Sequence, residues 1–508
     1  MMFIYIVSTV VVGFLTLVHW LLSPPRAIRD VPSISIPMYL YYFIGGKSRE
    51  EIHDLLIKPA LKKHGRVVRI WRFGSWVVMT TDPKITKTMF QDAKTFPKIG
   101  GRGKGLTDRF VGKSFVFKNG HEWLKDRKVV NPAFHRTWET GVFGDVAENT
   151  SELIRKSPNN VDILDMMNRA TLDAMGRVVF DYDFEALTNP SNKYRQAYNN
   201  ITSAMASPIR FLFPVIDSFG FESTKKAYRD MDTFDELIYK LIKDRKEAAL
   251  NRKKLGVRLA DDDRGKADLL TLMTDAVYNS DAEGEDLEYN EENLRNNVIL
   301  FYIAGHDTTS FSLTYAILEL ARNPDVQAKG RSEVIAALKS DGVANPYSVT
   351  PTYEQQKRFN LVDQIIRETQ RKNPIFTMLS RKIAKPVQID KYNFPPGTII
   401  STYVYGLHND ESIYPNPGKF DPSRFDDQSQ EAKNRPPCSW LAFGAGIRQC
   451  IGTNFSMTEQ RVLLAMLLLR FEWTLPKDSA YWTQTLSKNG FFAIPKDLYI
   501  DFKPLGQG

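Results

Sequence analysis

The chain holds only two cysteines, Cys438 and Cys450. That scarcity excludes a disulfide framework, a four-cysteine zinc site and an all-cysteine iron–sulfur cluster. Cys450 stands in Phe443-Gly444-Ala445-Gly446-Ile447-Arg448-Gln449-Cys450-Ile451-Gly452, just before a stretch of helical periodicity over 453–471. Three glycines around one cysteine imply a tight turn with close backbone approach. At a helix N-terminus the dipole and free N–H groups favour a thiolate, the form that binds metals. The plainer reading of a lone cysteine, a small inert hydrophobe, suits Cys438 in Arg435-Pro-Pro-Cys-Ser-Trp440.

A second set of reactive types lies within the longest helical pattern, 291–322, which Asn323-Pro324 must end. Residues 298–304 are apolar on every face, so this helix is expected to run through the core. Ala304-Gly305-His306-Asp307-Thr308-Thr309 then brings poor helix formers and an acid into the buried stretch. The Thr308 hydroxyl can bond back to the Ala304 carbonyl and Gly305 adds backbone freedom, which predicts a local bulge with room for a small ligand or water. Mutual satisfaction of Asp307 and Thr308 at a kink is the alternative. His306, on another face, reads as a packed histidine. Elsewhere, Glu368 and Arg371 are three apart on one helix face, and Trp123 and Arg127 are one turn apart.

These pieces together carry a resemblance. Phe443-x-x-Gly446-x-Arg448-x-Cys450-x-Gly452 resembles the haem-binding signature of the cytochrome P-450 monooxygenases. Ala304–Thr309 is similar to the family's oxygen-activating segment, Glu368-Thr-Gln-Arg371 to its Glu-x-x-Arg pair, Phe420-Asp-Pro-Ser-Arg424-Phe425 to the element supplying a third charge, and Trp123-x-x-x-Arg127 to the helix that meets the haem propionates. The similarity runs nearly the whole chain, of the eukaryotic membrane-anchored microsomal type, and residues 180–187 are similar to a segment of fungal members.

The resemblance implies haem b, with Cys450 as its metal ligand and Trp123, Arg127, Arg381 and Arg448 at the two propionates. It places Phe443, Gly444, Gly452 and Ala304 against the cofactor. Glu368, Arg371 and Arg424 form a structural charge cluster that pins the cysteine loop. Asp307 and Thr308 are the catalytic pair, delivering protons on the distal side. Phe115, Ile303, Ile375, Phe376 and Met378 line a pocket for a lipophilic substrate such as a fatty acid or steroid. Ala304 stands where some fatty-acid hydroxylases carry a glutamate that bonds covalently to haem, so no such bond is expected.

The implied reaction is hydroxylation with O2 and two electrons from NADPH through a membrane-bound NADPH–cytochrome reductase, with cytochrome b5 as a further donor. Lys118, Lys125, Lys128 and Arg136 would suit an acidic docking face. A haem-thiolate isomerase or dehydratase, which needs no reductase, more often lacks the threonine. A non-catalytic haem protein needs neither the acid–alcohol pair nor a basic face.

The elements that must hold these residues follow from composition and pattern. The 508 residues are 43% hydrophobic and 25% charged with a net charge of +9, a globular balance whose thin basic excess excludes a nucleic-acid binder. Residues 1–22 are apolar and uncharged, enough for one membrane span, and Arg26 and Arg29 follow it. The positive-inside rule then puts the body in the cytosol on a single-pass anchor, and the resemblance implies that the membrane is that of the endoplasmic reticulum. The expected organisation is an anchor over 1–23, a proline-containing linker over 24–32 and one haem domain over 33–508, mainly α with small β-sheets. Alternation at 67–71 and 76–79 around Gly74-Ser75 predicts a hairpin, and a second β-rich patch covers 387–405. Gly100-Gly-Arg-Gly-Lys-Gly105 lacks the strand and serine of a phosphate loop and is read as a loop beside the pocket. Residues 211–216 are apolar and could be core; the resemblance implies instead that they cap the substrate entrance and dip into the bilayer.

Overall fold

The structure is a computed structural model that describes residues 5, 13, 16 and 22–506, except 73, 101–104, 208–209, 211–213, 257–266, 279–289 and 489–491. The anchor expected over 1–23 and most of the segments 100–105 and 211–213 lie outside these residues. Among the described residues no helix is long and apolar enough to cross a membrane.

The central helix Glu291–Arg322 is continuous. Asn290 caps it by accepting from the Asn293 N–H, Glu291 and Glu292 sit in its first turn and Arg322 in its last, all favourable to the helix dipole. Its apolar girdle is packed by the helices Ile163–Phe180, Glu222–Lys254, Asn360–Lys372 and Thr453–Arg470 on all but one stripe. The expected bulge is absent. Gly305 serves instead as a point of close approach: a Cβ there would stand 2.8 Å from Met175 Cγ, on the helix Ile163–Phe180. The missing side chain lets two helices touch, and the Thr308 hydroxyl still donates to the Ala304 carbonyl at 2.8 Å without breaking the helix.

The predicted hairpin forms between Val67–Arg72 and Ser75–Thr80, with Val67 opposite Thr80 and Arg72 opposite Ser75. Ile399–Tyr403 joins Ser75–Thr80 in parallel and Met378–Lys382 pairs antiparallel beyond it, giving a four-stranded sheet. The outer strand carries Arg381 at its buried end. The rest of the β-rich patch is a small hairpin, Val387–Ile389 with Tyr392–Phe394. The architecture is mainly helical with small sheets, as the pattern implied.

Candidate active site

Cys450 lies in an irregular loop that ends at the helix Thr453–Arg470. Its N–H donates to the Phe443 carbonyl at 2.9 Å, which closes the loop on itself. Gly444 and Gly446 have φ of 70° and 67°, in the left-handed region. At Gly446 a Cβ would stand 2.3 Å from the Phe90 carbonyl oxygen, so only glycine lets the loop lie against the helix Pro83–Gln91. The thiol is solvent-accessible although much protein surrounds it. Burial raises its pKa. The Gly452 N–H, the Thr453 hydroxyl and the charges of Arg127 and Lys98 act the other way and do not overcome burial. The helix start thus favours the thiolate, as expected from the sequence, while burial opposes it; a bound metal cation would supply further positive charge. Cys438 is only half buried and has a φ of 62°.

Around Cys450 four cations meet. Arg448 donates to the carbonyls of Lys118 and Val116, both at 3.0 Å, and its guanidinium lies 4.4 Å from the centre of the buried Trp123 ring. Arg127, one turn along the helix Gly120–Phe134, donates to the Gln449 carbonyl at 3.4 Å. Arg381 lies over the Phe90 ring at 4.6 Å. The fourth, Lys98, carries no signal in the sequence. Burial, then the charges of Arg381 and Arg448, bring its pKa down to about 7. Burial brings Arg381 to about 10, and burial with Arg381 and Arg127 nearby brings Arg448 to about 10. No carboxylate opposes these shifts. Arg381 is buried and the other three are half-buried, and desolvated cations without acids are costly unless anions join them. A planar group with two carboxylates and a central cation above Cys450 matches both deficits, so the residues fit a haem.

The central helix is open along one stripe only. Ala304 is exposed and Leu300, Ile303 and Thr308 half-buried, in the midst of buried neighbours. Phe301 beside this stripe packs on Phe115 and Phe134, each with ring centres 5.5 Å away, and a Cβ on Gly452 would be 3.9 Å from Phe134. Thr309 and Ser456 share a hydrogen bond of 3.0 Å, which docks the helix beside the one that follows Cys450. Thr308 and the thiol thus open from adjoining elements. Asn297 accepts the Phe115 N–H at 2.7 Å and so fixes that residue. Phe376 meets Phe492 with ring centres 5.2 Å apart, and the Ile375 carbonyl accepts the Ala493 N–H at 2.8 Å. Met378 is not grouped with these aromatics: it packs on the sheet side with Tyr39, Ile52 and Tyr403.

Asp307 and Thr308 do not satisfy each other. Asp307 is buried and accepts from Asn168 Nδ2 at 3.0 Å and from the Tyr198 hydroxyl. His306 is packed, as expected, with Nδ1 2.6 Å from the Tyr302 carbonyl, but its Nε2 also stands 3.1 Å from Asp307 Oδ1. Burial raises the Asp307 carboxyl, while the His306 charge and the bonds from His306, Tyr198 and Asn168 more than offset it, leaving it below the usual range.

The charge cluster forms. Arg371 grips Glu368 through two bonds of 2.6 and 2.8 Å, and Arg424 Nε stands 3.5 Å from Glu368, all three buried. Its connection to the cysteine loop passes through a residue the sequence did not single out. Arg371 donates to the carbonyls of His408 and Pro417, each at 2.8 Å. His408 Nδ1 stands 3.0 Å from the Arg371 carbonyl while its Nε2 accepts the Leu441 N–H at 2.9 Å, two residues before Phe443. Only a neutral imidazole with its proton on Nδ1 can do both. Burial, then the Arg371 charge, lowers its pKa to about 3. The unfolded chain takes up this proton near pH 6.5 and the folded one does not, so stability is fully present above about pH 6.5 and falls by a few kcal/mol as pH drops toward 3. Urea midpoints between pH 7 and 4 are expected to fall less steeply in His408→Asn than in the wild-type protein; equal slopes would remove His408 from this role.

Of the four basic residues expected to meet a partner, Lys118 pairs with Asp126 at 2.9 Å and Arg136 donates to the Ala267 carbonyl while stacking over Trp138 at 4.3 Å. Both are held within the fold, which corrects their assignment to a docking face. Lys128 is exposed and Lys125 half-exposed.

Fold and site define a haem-thiolate enzyme, and the comparisons agree. Residues 32–502 match the family model described as Cytochrome P450, and the chain belongs to that family. It is a cytochrome P450 monooxygenase with haem as its cofactor. Among curated relatives, "Probable cytochrome P450 4s3" of Drosophila melanogaster is 27% identical over 431 residues, 83% of each chain. "Cytochrome P450 3A12" of Canis lupus familiaris is 26% identical over 470 residues, 87% of this chain and 85% of that protein. A crystal structure of a cytochrome P450DA mutant heme domain aligns with a TM-score of 0.76 at 24% identity, covering 94% of this chain and 98% of that one, a likeness of fold.

Proposed function

We propose that the protein hydroxylates a lipophilic organic substrate, using O2 and two electrons that reach it from NADPH through a reductase. The observation that carries this reading is a set of four cations with no acid among the groups that act on them, the buried Arg381 and the half-buried Lys98, Arg127 and Arg448, gathered about the accessible thiol of Cys450. Cys450 is the metal ligand, the four cations with Trp123 hold the two carboxylates, and Phe443, Gly444, Gly452 and Ala304 line the cofactor's faces. When bound, the haem supplies oxygen activation. Thr308, on the open stripe of the central helix, would place its hydroxyl toward the bound haem, and Asp307 would pass protons to that side from solvent. Phe115, Ile303, Ile375 and Phe376 form an apolar pocket that excludes water, and Met378 supports it from the sheet side.

The partner face is the side of the molecule carrying Cys450. Leu124 and Ile447 are 55% and 58% exposed on the two elements that bracket it, and Lys125 and Lys128 neighbour Leu124. Apolar residues with a basic fringe suit an acidic reductase and cytochrome b5. The N-terminal apolar run supports single-pass anchoring in the endoplasmic reticulum membrane with the haem domain cytosolic. Exposed Tyr41, Ile44, Phe219 and Phe221 supply further apolar surface for a bilayer.

Thr308→Ala separates this reading from an isomerase. With a reductase, NADPH and dodecanoic acid as the lipophilic probe, the variant is expected to go on oxidising NADPH while product per NADPH falls roughly ten- to a hundredfold, the range of a lost proton-transfer group. Hydrogen peroxide then makes up the balance. Unchanged product per NADPH, or product formed without any reductase, would contradict it.

A further inference from the structure

The Asp307 carboxylate occupies a cage that the acid–alcohol pair by itself does not require. Three side chains from three helices meet it: Asn168 from Ile163–Phe180, Tyr198 from Lys193–Met205, and His306 from its own central helix. The cage walls are aromatic. Tyr198 and Tyr302 meet with ring centres 4.9 Å apart, His306 lies 5.1 Å from the first and 4.8 Å from the second, and Phe234 and Phe184 close on Tyr302 at 4.8 and 5.4 Å. His306 and Tyr198 are almost wholly buried, and Asn168 is half-buried. Beside Asn168 stand Asp165, Arg169 and Arg195, an ion cluster in which Asp165 reaches solvent. The cage thus lies between solvent at Asn168 and the open stripe at Thr308. In so apolar a setting each hydrogen bond to a carboxylate is strong and directional. The Asp307 carboxylate is therefore fixed toward Tyr198 and Asn168, about a hundred degrees around the helix from Thr308.

We propose that Tyr198 is a positioning residue for proton delivery: its hydroxyl, with Asn168 Nδ2, holds the Asp307 carboxylate on the solvent side of the central helix, where it is recharged with protons before it turns toward Thr308. This rests on the function proposed above and assigns a residue that touches neither haem nor substrate. The balance is simple: a proton enters from solvent at the Asn168 side, passes over Asp307 to the distal pocket and leaves the carboxylate ionised again, and Tyr198 keeps its own proton throughout. That Tyr198 is held neutral by burial and by the Asp307 charge accords with a hydroxyl that only donates a hydrogen bond.

The test uses the full-length haem-loaded protein with reductase, NADPH and dodecanoic acid. Tyr198→Phe keeps the ring and its contacts and removes the hydroxyl alone. It is expected to raise hydrogen peroxide released per NADPH by about tenfold, the weight of one hydrogen bond to a charged group. It is also expected to change the ratio of NADPH oxidation rates in H2O and D2O, with haem content, reduced carbon-monoxide spectrum and substrate-induced spin shift as in wild type. Asn168→Ala changes the same two readouts in the same sense. In Asp307→Asn the further change Tyr198→Phe has no effect, since the group it positions is gone. Wild-type coupling and isotope ratio in Tyr198→Phe, or an effect that persists in full in the Asp307→Asn background, overturns the proposal. Should Thr308→Ala and Asp307→Asn themselves stay coupled, the function proposed above fails; should only Tyr198→Phe and Asn168→Ala stay coupled, this inference alone fails.

Discussion

Arg371→Ala is expected to give almost no haem-loaded protein. The guanidinium is fully buried and forms two bonds to Glu368 and one each to the carbonyls of His408 and Pro417. Removing it leaves Glu368 buried with only Arg424, at 3.5 Å, and the Asp421 N–H, at 3.0 Å, for company. Burial already holds the Glu368 carboxyl above its ordinary range, against the pull of Arg371. Breaking one side of a buried pair costs about 3–5 kcal/mol, a large part of the roughly 5–15 kcal/mol that holds a typical domain together. The loss is local as well as global, because the two carbonyls freed belong to the segment that carries His408, and His408 holds Leu441 next to the cysteine loop. Haem absorbance per purified protein is the measurement. Arg371→Lys is expected to fail almost as badly, since an ammonium has no planar fork for Glu368. Arg424→Ala is expected to be milder, because Arg424 contacts Glu368 only at 3.5 Å and is also held by Glu431 at 3.0 Å. Haem loading of Arg371→Ala at the wild-type level would show that the cluster does not pin the loop.

What could be read from the sequence was whatever depends on local spacing. The central helix was legible end to end, because Asn290 and two glutamates open it and Asn323-Pro324 close it. The hairpin around Gly74-Ser75 and the face shared by Glu368 and Arg371 were legible for the same reason. The bulge was misjudged because Gly305 looked like local flexibility, whereas its function is to admit Met175 from another helix. Contacts made across long sequence separations left no trace. Lys98 lies in a loop with no period, and only the folded chain sets it beside Arg381 and Arg448. His408 is 37 residues from Arg371 and 33 from Leu441. Tyr198 and Asn168 reach Asp307 from helices whose packing partners the pattern did not specify. At Cys450 the Gly452 N–H and the Thr453 hydroxyl favour the thiolate, as a helix start should, and burial of the sulfur works against them.

That balance makes Cys450 the residue with the most to lose. Its thiol sits raised by burial amid cations that only partly compensate, so the sulfur is a weak acid until a metal cation joins it. Cys450→Ala removes a solvent-accessible side chain, so no packed core is broken. The loop keeps its Cys450 N–H to Phe443 bond and its glycines, because these are backbone features. The variant is therefore expected to fold while losing all monooxygenase activity and most of its haem. The urea midpoint of the cofactor-free variant should match that of cofactor-free wild type within about 1 kcal/mol, the usual scale for a change outside the packed core. A large drop in that midpoint would mean that Cys450 is structural.

The most direct measurement of the central claim is the carbon-monoxide spectrum of the reduced protein, wild type against Cys450→Ala. A single thiolate on the iron predicts the red-shifted thiolate band in the wild-type protein and its disappearance in the variant. A wild-type spectrum without that band, or a variant that retains it, would contradict the assignment of Cys450 as the haem ligand.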